Sequence, residues 1–168
     1  MSTRLLLPAV VALVPVGCFL AALILLDSYK LVKLRAVLAV VAGGALAAAV
    51  GYQLNAWALA ATGLDPTLHS RYFAPLLEEA LKASIIIVLI RMHRIGFLVD
   101  AAILGFGVGS GFALVENIYY LTQSSGLGLG TWIVRGFGTA VMHGGATAFF
   151  AVIALAQAER SGNARLHS

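Results

Sequence analysis

The chain has 168 residues, 61% of them hydrophobic and 11% charged, and its mean hydropathy is +0.96. Soluble domains typically carry about 25% charged residues, so an ordinary soluble fold is excluded and an all-α, polytopic transmembrane helix bundle is the expectation. A net charge of +4 with no basic cluster among aromatics excludes nucleic acid as a partner, and the single cysteine, Cys18, excludes an internal disulfide and a cysteine-built metal site.

Crossing hydrocarbon takes about 20 apolar residues per helix. The first such run covers 5–26. Arg4 precedes it as in a signal peptide, but the run exceeds the roughly 7–15 residues of a signal core. Pro15-Val-Gly-Cys18 is also a poor cleavage box. The run reads as a retained span, bent by Pro8 and Pro15. Further runs cover 36–61, 72–91, 98–121 and 132–157. They are separated by 27–35, 62–71, 92–97 and 123–131, which carry charges or turn residues. The last of these, Ser-Ser-Gly-Leu-Gly-Leu-Gly, reads as a flexible loop. The tail 159–168 is polar and reads as frayed. No internal repeat or soluble second domain is visible. The expectation is one membrane-embedded domain, 1–168, with its catalytic core in 72–157.

Five spans allow the loop cations to be assigned to sides. Lys30, Lys33, Arg35, Arg91, Arg94, Arg160 and Arg165 fall on one side, and Arg4, Arg71 and Arg135 on the other. The excess predicts an N-out, C-in protein. Glu78 and Glu79 then lie roughly 10 Å into the third span from the outer surface, and His143 roughly 15 Å into the fifth. Glu116 approaches the same surface from the fourth span. Three helices deliver ionisable groups to one half of the bilayer, where such groups are costly and usually do work. Asp100 lies at the other end. It reads as a helix-start acid, paired with Arg94 or Arg91.

Three patterns carry the chemistry. In Glu78-Glu79-Ala-Leu-Lys82, Glu78 and Lys82 are i,i+4 neighbours, so an ion pair between them is expected. Glu79 points about 100° away. Two carboxylates beside one lysine have unequal proton affinities, which suits a general base acting on water. In Gly105-Phe-Gly-Val-Gly-Ser-Gly-Phe-Ala-Leu-Val-Glu-Asn117, alternate glycines let neighbouring helices approach closely. That approach brings Glu116 and Asn117 against another helix, with Phe112 as cavity wall. The Asn117 amide is the candidate oxyanion donor. In the third, Arg135, Thr139, His143 and Thr147 recur at i+4 and form one polar stripe. His69, His93 and His167 fall in loops or the tail. No Ser-His-Asp set, His-Glu-x-x-His motif or phosphate-binding loop occurs, and Ser110 is one position out of frame for Gly-x-Ser-x-Gly.

Glu78-Glu79-x-x-Lys82, then Gly109-x-Gly111-Phe112-Ala-x-x-Glu116-Asn117-x-x-Tyr120, then His143 resembles the PrsW family of intramembrane proteases over roughly 72–150. That family is similar to the CAAX-protease and bacteriocin-processing superfamily. The resemblance implies hydrolysis of peptide bonds in membrane-associated proteins, such as anti-sigma factors in a bacterial cell membrane. The chain departs from the superfamily by carrying Glu116 where many relatives have histidine.

The first reading is a glutamic-type protease needing no cofactor. Glu78 or Glu79 activates water, His143 orients it or protonates the leaving amine, Asn117 holds the oxyanion and Glu116 holds His143 or the water. Lys82 tunes the pair electrostatically, and Arg135, on the stripe of His143, is a supporting residue. The second adds a divalent metal such as zinc, held by Glu78 or Glu79 together with Glu116 and His143. The third is a small proton-coupled transporter, since intramembrane Glu, Lys and His suit that role too.

Overall fold

The computed structural model describes residues 3–26, 32–123 and 128–166. Six helices account for nearly all of them: α1 (Thr3–Leu26), α2 (Leu34–Thr62), α3 (Pro66–Leu68), α4 (Ala74–Arg91), α5 (Leu98–Gln123) and α6 (Leu129–Leu166). Three are long and apolar enough to cross a membrane, over Leu34–Thr62, Leu98–Gln123 and Leu129–Ser161, and α1 carries a shorter apolar stretch, Ala9–Ala22. The chain is therefore an all-α helical membrane bundle. α4 coincides with the expected third span but carries Glu78, Glu79, Lys82 and Arg91 within its 18 residues. It can lie in the bilayer only as part of the bundle, with Lys82 buried, Glu78 partly buried and Arg91 at the helix end.

Local chemistry sets the boundaries. Gly63, at φ 61°, closes α2 in the left-handed conformation, and its N–H donates to Leu59 O at 3.1 Å. Asp65 caps the next turn by accepting from the N–H groups of Thr67 (2.9 Å) and Leu68 (3.1 Å), with Pro66 at the first helical position. A π-helical turn, His69–Phe73, leads into α4. It buries His69 against Phe73, with ring centroids 5.0 Å apart, where the sequence suggests an exposed loop residue.

α1 continues unbroken through Pro8 and Pro15. α6 extends to Leu166, so most of the expected frayed tail is helical. Much of the glycine-rich loop, together with Lys30 and His167, lies outside the described residues.

α5 is the hub. Gly107 and Gly111 face α2, where a Cβ at Gly111 would overlap the Val41 carbonyl. Gly105 and Gly109 face α6, where a Cβ at Gly105 would stand 2.8 Å from Thr147 O. The alternate glycines thus serve two helices at once, each by an i,i+4 pair. A core of Ile86, Leu104, Val108 and Leu155 fills one end of the bundle. Glu79, Lys82, Glu116, Arg135 and His143 are linked to one another towards the other.

Candidate active site

Glu78, Glu116 and Phe112 line one cavity of about 370 Å³ between α2, α4 and α5. The α2 wall is Ala48, Ala49, Tyr52, Gln53 and Asn55. The sequence marks this wall only by Tyr52-Gln53-x-Asn55, which interrupts the apolar run 36–61. Asn55 Nδ2 donates to Glu78 Oε1 at 3.5 Å. At the cavity mouth the Tyr52 and Tyr119 rings lie with centroids 4.8 Å apart.

A continuous polar chain runs behind this cavity. Lys82 Nζ donates to Glu79 Oε1 at 2.6 Å and lies 2.9 Å from His143 Nδ1. His143 Nε2 lies 2.7 Å from Glu116 Oε2, and Arg135 donates to Glu116 Oε1 at 3.2 Å. An ammonium has donors only, so His143 Nδ1 must accept. That fixes the tautomer: Nε2 carries the hydrogen and donates it to Glu116. Lys82 is 0% exposed and stands 4.4 Å from the Phe112 ring centre, so the aromatic face adds to its compensation. Arg135 lies 3.6 Å over Tyr120. Phe112 is the expected cavity wall.

The expected Glu78–Lys82 pair does not form; Lys82 takes Glu79, at i,i+3. Lys82 is within reach of both carboxylates along α4, so tertiary partners decide. His143 draws Lys82 towards α6, and Asn55 draws Glu78 towards α2. Glu78 is thereby left facing the cavity while Glu79, half exposed, is neutralised outside it. Asp100 likewise forms no ion pair with Arg91 or Arg94 among the described residues.

Asn117 is 0% exposed. Its Nδ2 donates to Ala12 O at 2.9 Å and to Thr139 Oγ1 at 3.0 Å. An oxyanion donor must face substrate, so the expected role does not fit this geometry. The residue instead ties α1, α5 and α6 together. Its replacement by alanine is expected to cost about 1–3 kcal/mol, because buried polar partners lose their bonds. Thermal denaturation in detergent measures the loss. Thr139 and Thr147 also bond back along their own helix, to Arg135 O and His143 O.

Apolar helices closed around buried lysine, histidine and asparagine define a polytopic membrane protein built around an ionisable centre. Residues 29–167 match the model of the PrsW family of intramembrane metalloproteases, and the chain belongs to that family. It is accordingly an intramembrane protease and a multi-pass integral membrane protein. No curated protein and no solved structure matches the chain. The match includes α2, which supplies the cavity wall, whereas α1 falls outside it.

The family description names a metal, so the donors must be tested for one. A catalytic zinc takes three protein donors and keeps a fourth position open. Here His143 Nδ1 faces the Lys82 ammonium, which would repel a cation, and Nε2 is turned onto Glu116. Glu79 is held on the Lys82 side, away from Glu116. Among the described residues no three His, Cys, Asp or Glu side chains are grouped to hold an ion. The donor set in this arrangement does not fit a metal.

Proposed function

We propose that the chain hydrolyses peptide bonds of membrane-associated protein substrates with water activated by Glu78. The observation that carries this reading is the separation of the two adjacent glutamates. Glu78 faces the cavity with Glu116, and Glu79 is ion-paired behind it.

Glu78 accepts a proton from water as the water oxygen bonds to the scissile carbonyl carbon. The carbonyl oxygen takes up the displaced electron pair. As the tetrahedral intermediate collapses, the C–N bond breaks and Glu78 returns the proton to the leaving nitrogen. The products are a carboxylic acid and an amine, and Glu78 ends as it began. Glu116 faces the same cavity and orients the water. His143 and Arg135 position Glu116 through its two oxygens, and Lys82 positions His143. Asn117 and Thr139 hold the helices in register. Phe112 and the α2 wall shield the centre from bulk water, which strengthens every charge interaction inside it. A substrate would be a transmembrane or membrane-anchored protein whose helix unwinds at the cavity; an anti-sigma factor fits that description.

The experiment is cleavage of a membrane-anchored peptide by protein reconstituted in liposomes. Cleavage should survive strong chelators, and metal analysis of the active protein should find zinc well below one equivalent. Loss of activity on chelation, restored by zinc, overturns the metal-free reading. Proton-coupled uptake without any cleavage would overturn the protease reading.

A further inference from the structure

At the far end of the bundle lies a second cavity, of about 560 Å³, that the catalytic reading leaves unused. The start of α2, the end of α4 and the start of α5 enclose it. Lys33, Arg35 and Arg94 bring three cations to it, and Asp100 brings one carboxylate. Its deeper wall is apolar, made by Ala36, Ala39, Leu89 and Leu104. Asp100 is only 9% exposed, and its buried Oδ1 has no hydrogen-bond partner among the described residues. A desolvated carboxylate oxygen without a donor is costly, and the start of α5 compensates it only in part.

We propose that this cavity binds a phospholipid whose head group carries a primary ammonium beyond its phosphate, that is, phosphatidylethanolamine. The charge pattern fits that molecule in both signs. Lys33, Arg35 and Arg94 match the phosphate, as basic pockets between membrane helices do for other head groups. The ammonium supplies the donor that Asp100 Oδ1 lacks. Ala36, Ala39, Val40, Leu89 and Met92, from α2 and the end of α4, give an acyl chain an apolar surface. A purely anionic head group would satisfy the three cations but would set further negative charge against Asp100. Free phosphate would do the same and leave the apolar wall uncovered.

The test is native mass spectrometry of the full chain released from nanodiscs of equal phosphatidylethanolamine and phosphatidylglycerol. The unaltered protein should retain one phosphatidylethanolamine with about tenfold preference. Asp100→Asn should abolish the preference, and Arg35→Gln with Arg94→Gln should release both lipids. Ala39→Phe, which fills the cavity without altering charge, should also release the lipid; it keeps the test decisive should Asp100→Asn fail to fold. Equal retention of both lipids overturns the proposal, as does a preference that survives Asp100→Asn or Ala39→Phe. Displacement by millimolar inorganic phosphate overturns the lipid as the source of the phosphate. The readout is independent of proteolysis, so the proposed catalysis can fail without affecting it.

Discussion

Glu78→Gln is expected to remove proteolysis by about 10²–10⁴-fold, the usual worth of a general base. Glutamine keeps the size of the side chain and can still meet Asn55, but it cannot accept a proton from water. Helix content, membrane insertion and thermal stability should therefore stay close to those of the unaltered protein. Glu79→Gln is the informative contrast. It removes the carboxylate that neutralises the Lys82 ammonium, leaving a fully buried cation held by His143 and the Phe112 ring. Breaking a buried pair from one side is destabilising, though the half-exposed position of Glu79 moderates the cost. Its expected signature is lower stability with residual cleavage. Cleavage and denaturation measured on both variants in the same liposome preparation separate the two roles. Full activity in Glu78→Gln, or loss confined to Glu79→Gln, would give the base to the other glutamate.

The fold was legible because hydrophobic run length is a direct physical requirement of the bilayer, and the residues that break the pattern are expensive there. Glu78, Glu116 and His143 could be brought together from their positions along three spans. What sequence could not decide was partnership. Lys82 lies between two carboxylates on one helix, and only the arrival of His143 from α6 and Asn55 from α2 assigns it to Glu79. Asn117 shows the same limit. An amide in a membrane span reads as functional, yet the close approach of α1 turns it towards Ala12 O, and no spacing within the chain reports that contact. Asn55 was missed for the opposite reason, since it and Gln53 are the two amides in a run otherwise dominated by alanine, leucine and valine. The glycines were read for closeness, but their division between α2 and α6 follows only from which helices pack on α5.

Gly109→Ala should rank with the loss of the base in its effect on activity, although it adds one carbon and lies outside the reaction cavity. A Cβ at Gly109 would overlap the His143 backbone carbonyl, with Gly144 Cα at 2.7 Å beside it. Those atoms belong to a helix backbone and cannot rotate away, so α5 and α6 must separate. Overpacking of this kind typically costs about 1–3 kcal/mol. The separation also falls on the residue that holds Glu116 at 2.7 Å and meets Lys82 at 2.9 Å. A misplacement of about 1 Å can cost about 10²-fold in rate, so cleavage should fall by that order together with the denaturation temperature. Gly145→Ala is the matched control. It lies two residues from His143 on the same helix, yet a Cβ there meets nothing within 4 Å. Helix propensity favours alanine over glycine by about 1 kcal/mol, so this variant should be as active as the unaltered protein and slightly more stable. Equal behaviour of the two alanine variants would mean that the contact between Gly109 and His143 does not govern the site.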